Sequence, residues 1–173
     1  MLTLLSEYNP EDFLIFGDLD EIPDVQFFTD KSHLDALLKE NPIYAFDQTM
    51  YYYNVFSIKE LSWRGTVLTK VQTAITLSPK TVRKHRLDYP LCAKGWHFSY
   101  FGDEKKIKQK IDAIADVEKL SAFKAISEDE IALRIEKTMD LYDRPDAAMV
   151  STKHPEIPNN LITWIRQYLP NCA

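Results

Sequence analysis

The run Phe13-Leu14-Ile15-Phe16 is apolar at four consecutive positions and reads as a buried strand that ends where Gly17 frees the backbone. Ahead of it, Leu2 to Tyr8 has the pattern of the last turns of a helix, and Asn9-Pro10-Glu11-Asp12 forms a turn into the strand. A helical period follows. Leu34, Leu37 and Leu38 share one face, Thr29 and Asp30 or the pair Ser32 and Asp35 cap its start, and Asn41-Pro42 ends it. From Ile43 to Phe56 the aromatics Tyr44, Phe46, Tyr51, Tyr52, Tyr53 and Phe56 favour strands, with a bend expected at Asp47-Gln48. Thr66 to Leu77 starts with strand-like alternation and becomes ambiguous in its second half. Ser78-Pro79 opens a short helix. Gly95 to Gly102 is an aromatic strand, and a period of two puts Trp96, Phe98 and Tyr100 on one face and His97, Ser99 and Phe101 on the other.

The last third reads as helical packing elements. Asp103 opens a helix with Ile107, Ile111 and Ile114 on one face, and Ser127 with Glu130 caps a second carrying Ile131, Ile135 and Met139. Pro158 starts a third, presenting Leu161, Trp164, Ile165, Tyr168 and Leu169. Between them, Asp143 to Ile157, with Pro145, Pro155 and His154, reads as an ordered surface loop or small lid. The expectation is an α/β fold in one domain, residues 1–173.

Composition narrows the class. A chain of 173 residues, 45% apolar and 27% charged, is long enough to bury a core. A formal charge of -5 argues against a surface built for nucleic acid. Cys92 and Cys172 suit neither a metal knuckle nor a disulfide framework, which fits a reducing compartment. No apolar stretch approaches the roughly 20 residues that cross a bilayer, no signal-peptide pattern opens the chain, and no Asn-x-Ser/Thr acceptor occurs. A cytoplasmic chain with no membrane segment is the reading.

The candidate chemistry lies just after the first strand. Asp18, Asp20 and Glu21 crowd three carboxylates into four positions, and such crowding asks for a cation between them. With 15 Asp in the chain, one Asp-x-Asp is expected by chance, so context carries the argument. The densest basic patch is Arg83, Lys84, His85 and Arg86, either complementing a helix C-terminus or meeting a diphosphate. His33 reads as a surface or half-buried residue. His97 stands apart from the apolar row of its strand and is a candidate third partner for the aspartates.

Taken together, Asp18-x-Asp20-Glu21-Ile22-Pro23, Tyr52-Tyr53-Asn54, Trp63-x-Gly65, Ser78-Pro79 with Arg83, and Gly95-Trp96-His97-Phe98-Ser99 resemble glycosyltransferase family 17 from about Asp12 to the C-terminus. That family includes the β-1,4-mannosyl-glycoprotein 4-β-N-acetylglucosaminyltransferases of protein N-linked glycosylation. The resemblance implies a GT-A-like, Rossmann-related fold, a UDP-sugar donor, a glycan acceptor, a divalent ion (Mn2+ or Mg2+), and transfer with inversion. By position, Asp18 and Asp20 match the family's Asp-x-Asp, and His97 matches the histidine of its GWHFS block. The role implied for Asp18 and Asp20 is to hold metal and diphosphate; placing His97 at the metal is an inference from its match, and Arg83 or Arg86 would share the charge of the donor diphosphate. Family members carry on the order of a hundred residues before the acidic motif, so the resemblance describes an N-terminally truncated version of the fold. An uncovered sheet edge and self-association are then expected.

A base must take the acceptor's proton. Asp47, beside the aromatic stretch, is the first candidate, with Glu21 and Asp103 as rivals. Two other readings stay open: a catalytically inactive, glycan-binding derivative of the transferase, and a haloacid-dehalogenase-like phosphatase, whose opening also places Asp-x-Asp after an apolar strand. Glu21-Ile22 stands where that second family continues with Gly-Thr.

Overall fold

The computed structural model describes residues 2–113, 125–144 and 148–172. They form a mixed α/β fold on a six-stranded mixed sheet. The chain divides into two compact units, Met1–Thr49 with Ser62–His97, and Met50–Leu61 with Phe98–Ala173. No helix among the described residues is long and apolar enough to cross a membrane.

In the first unit, α1 (Leu2–Leu5) leads to the expected turn, where the Asn9 N–H donates to the Asp12 carboxylate at 3.1 Å and the Glu11 N–H to the Asn9 side chain at 2.9 Å. The turn delivers β1 (Phe13–Phe16), antiparallel to β4 (Ser57–Lys70), with Phe13 opposite Lys70 and Phe16 opposite Val67. With β2 (Glu21–Pro23), β3 (Ile43–Tyr52) and β5 (Leu91–Ser99), the strand order is β1-β4-β3-β5-β2. β1 is thus a terminal strand and not the buried one expected, and Ile15 is 39% exposed. β2 runs antiparallel to β5, placing Glu21 opposite His97.

The two ends of this order are joined by residues 17–20 alone. Four gaps between flat neighbouring strands would span about 19 Å, yet the Glu21 N–H reaches the Asp18 carbonyl at 3.0 Å in a tight turn. The sheet therefore curls, and β2 is brought back toward β4.

Apolar residues cover both faces of these strands. Leu34 and Leu38 of α2 (Lys31–Glu40) pack with Tyr44, Phe46 and Leu68. Val82 of α4 (Pro79–Lys84) packs with Ile43, Ala45 and Val67, while Val71 and Ala74 of α3 (Val71–Leu77) pack with Leu5. The ambiguous run thus resolves as strand to Lys70 and helix from Val71. Asp30 caps α2 by accepting from the N–H groups of Ser32 and His33, so the alternative box starting at Ser32 is not used. His33 is exposed, as expected.

The bend expected at Asp47-Gln48 is absent because the Gln48 side chain is wholly buried and bonded on both sides. Its oxygen accepts from the Thr66 N–H at 3.1 Å and its nitrogen donates to the Trp96 carbonyl at 3.5 Å. β3 continues unbroken to Tyr52. β5 begins at Leu91, ahead of the expected Gly95, and buries Trp96 and His97 alike, so the expected separation of His97 from the apolar row does not translate into exposure.

In the second unit the chain turns at Tyr53, which takes a φ of 69°, and Asn54 accepts from the Phe56 N–H at 2.9 Å. α5 (Glu104–Ala113) contacts α6 (Glu128–Glu136), with Ile107, Ile111 and Ile131 buried. Ile114 and Pro145 lie outside the described residues, and Met139 falls beyond the end of α6. Ser127 caps α6 through the Glu130 N–H at 3.1 Å, while the Glu130 carboxylate turns to Arg134 instead of completing the box. β6 (Val150–Ser151) pairs with Ser57 and Ile58 of β4. Of the last helix, α7 (Asn159–Tyr168), only Ile165 is buried. Trp164 and Tyr168, expected to pack, are 52% and 57% exposed with ring centroids 5.1 Å apart.

Candidate functional site

The acidic turn is built around Glu21, and the flanking aspartates are secondary to it. Glu21 opens β2, and the curl of the sheet carries its carboxylate inward, where it is 5% exposed. Burying a carboxylate is costly unless every lone pair finds a donor. Four donors meet it. Oε1 accepts from Trp63 Nε1 at 3.0 Å and Arg83 Nη2 at 2.8 Å, and Oε2 accepts from the Asp18 N–H at 3.0 Å and Thr66 Oγ1 at 3.3 Å. Burial pushes its pKa up, but the hydrogen bonds from Arg83 and Trp63 and the guanidinium charge outweigh that and hold it below its ordinary value.

Two glycines make the room. A Cβ on Gly17 would lie 2.5 Å from both Glu21 Oε2 and Thr66 Oγ1, and one on Gly65 would lie 2.2 Å from Glu21 Oε1. Any side chain there would occupy the carboxylate's own space. Gln48, bonded to Thr66, supports the far side of the same cluster.

Around this centre the other candidates take their places. Asp18, largely exposed, accepts from Arg83 Nη2 at 2.8 Å, so one guanidinium nitrogen bridges Asp18 and Glu21. Asp20 Oδ1 lies 3.4 Å from His97 Nε2, and His97 rests against the Trp63 ring with centroids 5.3 Å apart. The Arg86 guanidinium lies 5.4 Å from the Trp63 ring centroid. Arg83 Nη1, Arg86 Nε and His97 Nδ1 are buried and have no hydrogen-bond partner among the described residues. Of the basic patch, only Arg83 and Arg86 reach this cluster; Lys84 is exposed and His85 pairs with Asp88 at 3.2 Å.

Asp47 accepts from Ser62 Oγ at 2.6 Å and pairs with Lys94. Burial raises its pKa, and the bonds from Lys94 and Ser62 more than reverse that. Asp103, in the second unit, accepts from the Lys106 N–H at 2.9 Å at the start of α5, a helix-capping position.

The expected metal set of Asp18, Asp20 and His97 is not assembled. No group of three or more His, Cys, Asp or Glu side chains among the described residues is placed to hold a metal ion. Asp18 faces Arg83, Asp20 faces His97, and Glu21 has no lone pair left. The donor set does not fit a divalent ion.

Comparison of the chain with family models, curated proteins and solved structures returned no match. The site therefore rests on its own geometry. The sequence marks Asp18, Asp20, Glu21, Arg83, Arg86 and His97 as candidates, but it gives Trp63 and Gly65 no role and offers Gly17, Gln48 and Thr66 only as a backbone release, a bend and a strand start. The available signal was glycine next to or within strand patterns, which marks close approach by another group.

Proposed function

We propose that this chain is a glycosyltransferase of GT-A-like architecture, related to family 17, that moves a sugar from a UDP-sugar to a glycan acceptor with inversion. N-acetylglucosamine is the first candidate sugar. The observation that carries the reading is convergence: Asp18 to Glu21, Trp63, Gly65, Arg83 and His97, dispersed over eighty positions of sequence, meet around one buried carboxylate. They come from four of the five blocks on which the resemblance rests, Tyr52-Tyr53-Asn54 being the exception.

In the reaction, the acceptor hydroxyl oxygen forms a bond to the anomeric carbon as the bond from that carbon to the donor diphosphate breaks. The electron pair leaves with the nucleoside diphosphate, and the hydroxyl proton passes to a carboxylate base. Arg83 and Arg86 stand ready for the charge that grows on the leaving group. Asp47 remains the first candidate base, since Glu21 is saturated with donors and Asp103 caps a helix.

A second reading, a glycan-binding module without turnover, is favoured by the pairing of Glu21 with Arg83 and of Asp47 with Lys94, which weakens each as a proton acceptor. The phosphatase reading requires Asp18 as a nucleophile, and Glu21-Ile22 departs from the Gly-Thr with which that opening continues. Incubation with UDP-N-acetylglucosamine and an N-glycan acceptor, read by mass spectrometry of the glycan, is expected to show one added sugar. Glycan retention on an affinity column with no mass change would favour the binding module. Self-association through β1 is part of the proposal, because its terminal position leaves Ile15 partly exposed.

A further inference from the structure

A carboxylate offers about four lone-pair positions, and Glu21 has all of them filled by protein donors. The space between Asp18 and Glu21, where crowded carboxylates call for a cation, is taken by Arg83 Nη2 at 2.8 Å from each. A divalent ion placed there would have to expel the guanidinium and leave it buried beside a like charge. Arg83 Nη1 and Arg86 Nε, meanwhile, are buried donors without partners among the described residues. Unmet guanidinium donors beside a carboxylate pair whose gap Arg83 already fills suit an oxyanion and oppose a metal.

We infer that the Arg83 guanidinium stands in place of the metal ion, and that Arg83 and Arg86 hold a diphosphate-bearing ligand at this turn without a divalent cation. The inference deepens the donor reading above and rests on it for the ligand class. It separates the roles of neighbouring residues. Asp18 is a repulsive neighbour of the ligand here, whereas in a metal-bridged site it would be an attractive one.

The test is calorimetric titration of the whole chain with inorganic pyrophosphate and with UDP, each in EDTA and in excess Mn2+. The expected result is binding in EDTA that Mn2+ does not strengthen, weakened about tenfold by Arg86→Gln, the loss of one charge-assisted bond, and unchanged or tightened by Asp18→Asn. Arg83 is left intact because its removal strands buried Glu21 and endangers the fold. Binding that appears only with Mn2+ and disappears in Asp18→Asn overturns the inference while leaving a nucleotide donor in place. Metal-independent binding of pyrophosphate with no gain for UDP upholds the inference and removes the transferase reading. Absence of binding in every condition overturns both.

Discussion

Glu21 and the two glycines around it form one volume-sharing unit. Glu21→Ala leaves Arg83 with only the exposed Asp18 and strips Trp63 Nε1 of its acceptor. Breaking such a buried pair is expected to cost about 3–5 kcal/mol. Gly65→Ala pushes a methyl group into the carboxylate and is expected to cost about 1–3 kcal/mol. With the carboxylate already gone, the same methyl group is left with Gln48 Oε1, 2.5 Å away, as its close contact. The double variant should therefore be destabilised by clearly less than the sum of the two, in urea unfolding followed by circular dichroism. Strict additivity would mean that the glycine is needed for some other reason.

Capping and edges decide how the elements behave. Asp30→Ala removes an acceptor for two N–H groups of α2 and is expected to cost about 1 kcal/mol. Ser32→Ala should stay within about 0.5 kcal/mol, since Ser32 donates its N–H to that cap and its side chain does not cap the helix. Unfolding midpoints in urea compare the two. At the sheet edge, Ile15→Lys should reduce concentration-dependent association in sedimentation velocity, because a charge on a terminal strand disfavours strand addition. Most helices and strands were legible from periodicity, and the caps at Asp30, Ser78, Asp103 and Ser127 from local chemistry. Gln48 was misread as a bend because a polar pair inside an apolar strand looks like an interruption until a partner from another strand is known. The same limit applied to Glu21. Asp18 and Asp20 looked equivalent to it in sequence, and only the curl of the sheet shows which of the three is buried. Trp164 and Tyr168 read as core because helical period reports a face but not what covers it.

Among the described residues, three ion-paired carboxylates share one sign of response to acid. Glu21, Asp47 and Asp140 all have pKa values held below their ordinary 4.5, 3.8 and 3.8, each by basic neighbours acting against burial. A carboxylate lowered in the folded state contributes stability above its unfolded pKa and loses it as pH falls through the folded value. The urea midpoint should therefore be level from pH 7 to about 5, and fall steadily below 4.5. In Glu21→Gln that fall should be shallower, because one proton-linked group is gone. A midpoint that rises on acidification would contradict the assigned pairs. The cramped arrangement at positions 17, 21 and 65 also constrains the order in which this chain can change over generations. While Glu21 is present, a side chain at either glycine is excluded by volume; once it shrinks, Thr66 Oγ1 still lies 2.5 Å from a Cβ at 17, and Gln48 Oε1 2.5 Å from one at 65. Divergent descendants should lose the acid first, change Thr66 or Gln48 next and gain methyl groups at 17 or 65 last, so these positions covary along one permitted mutational path.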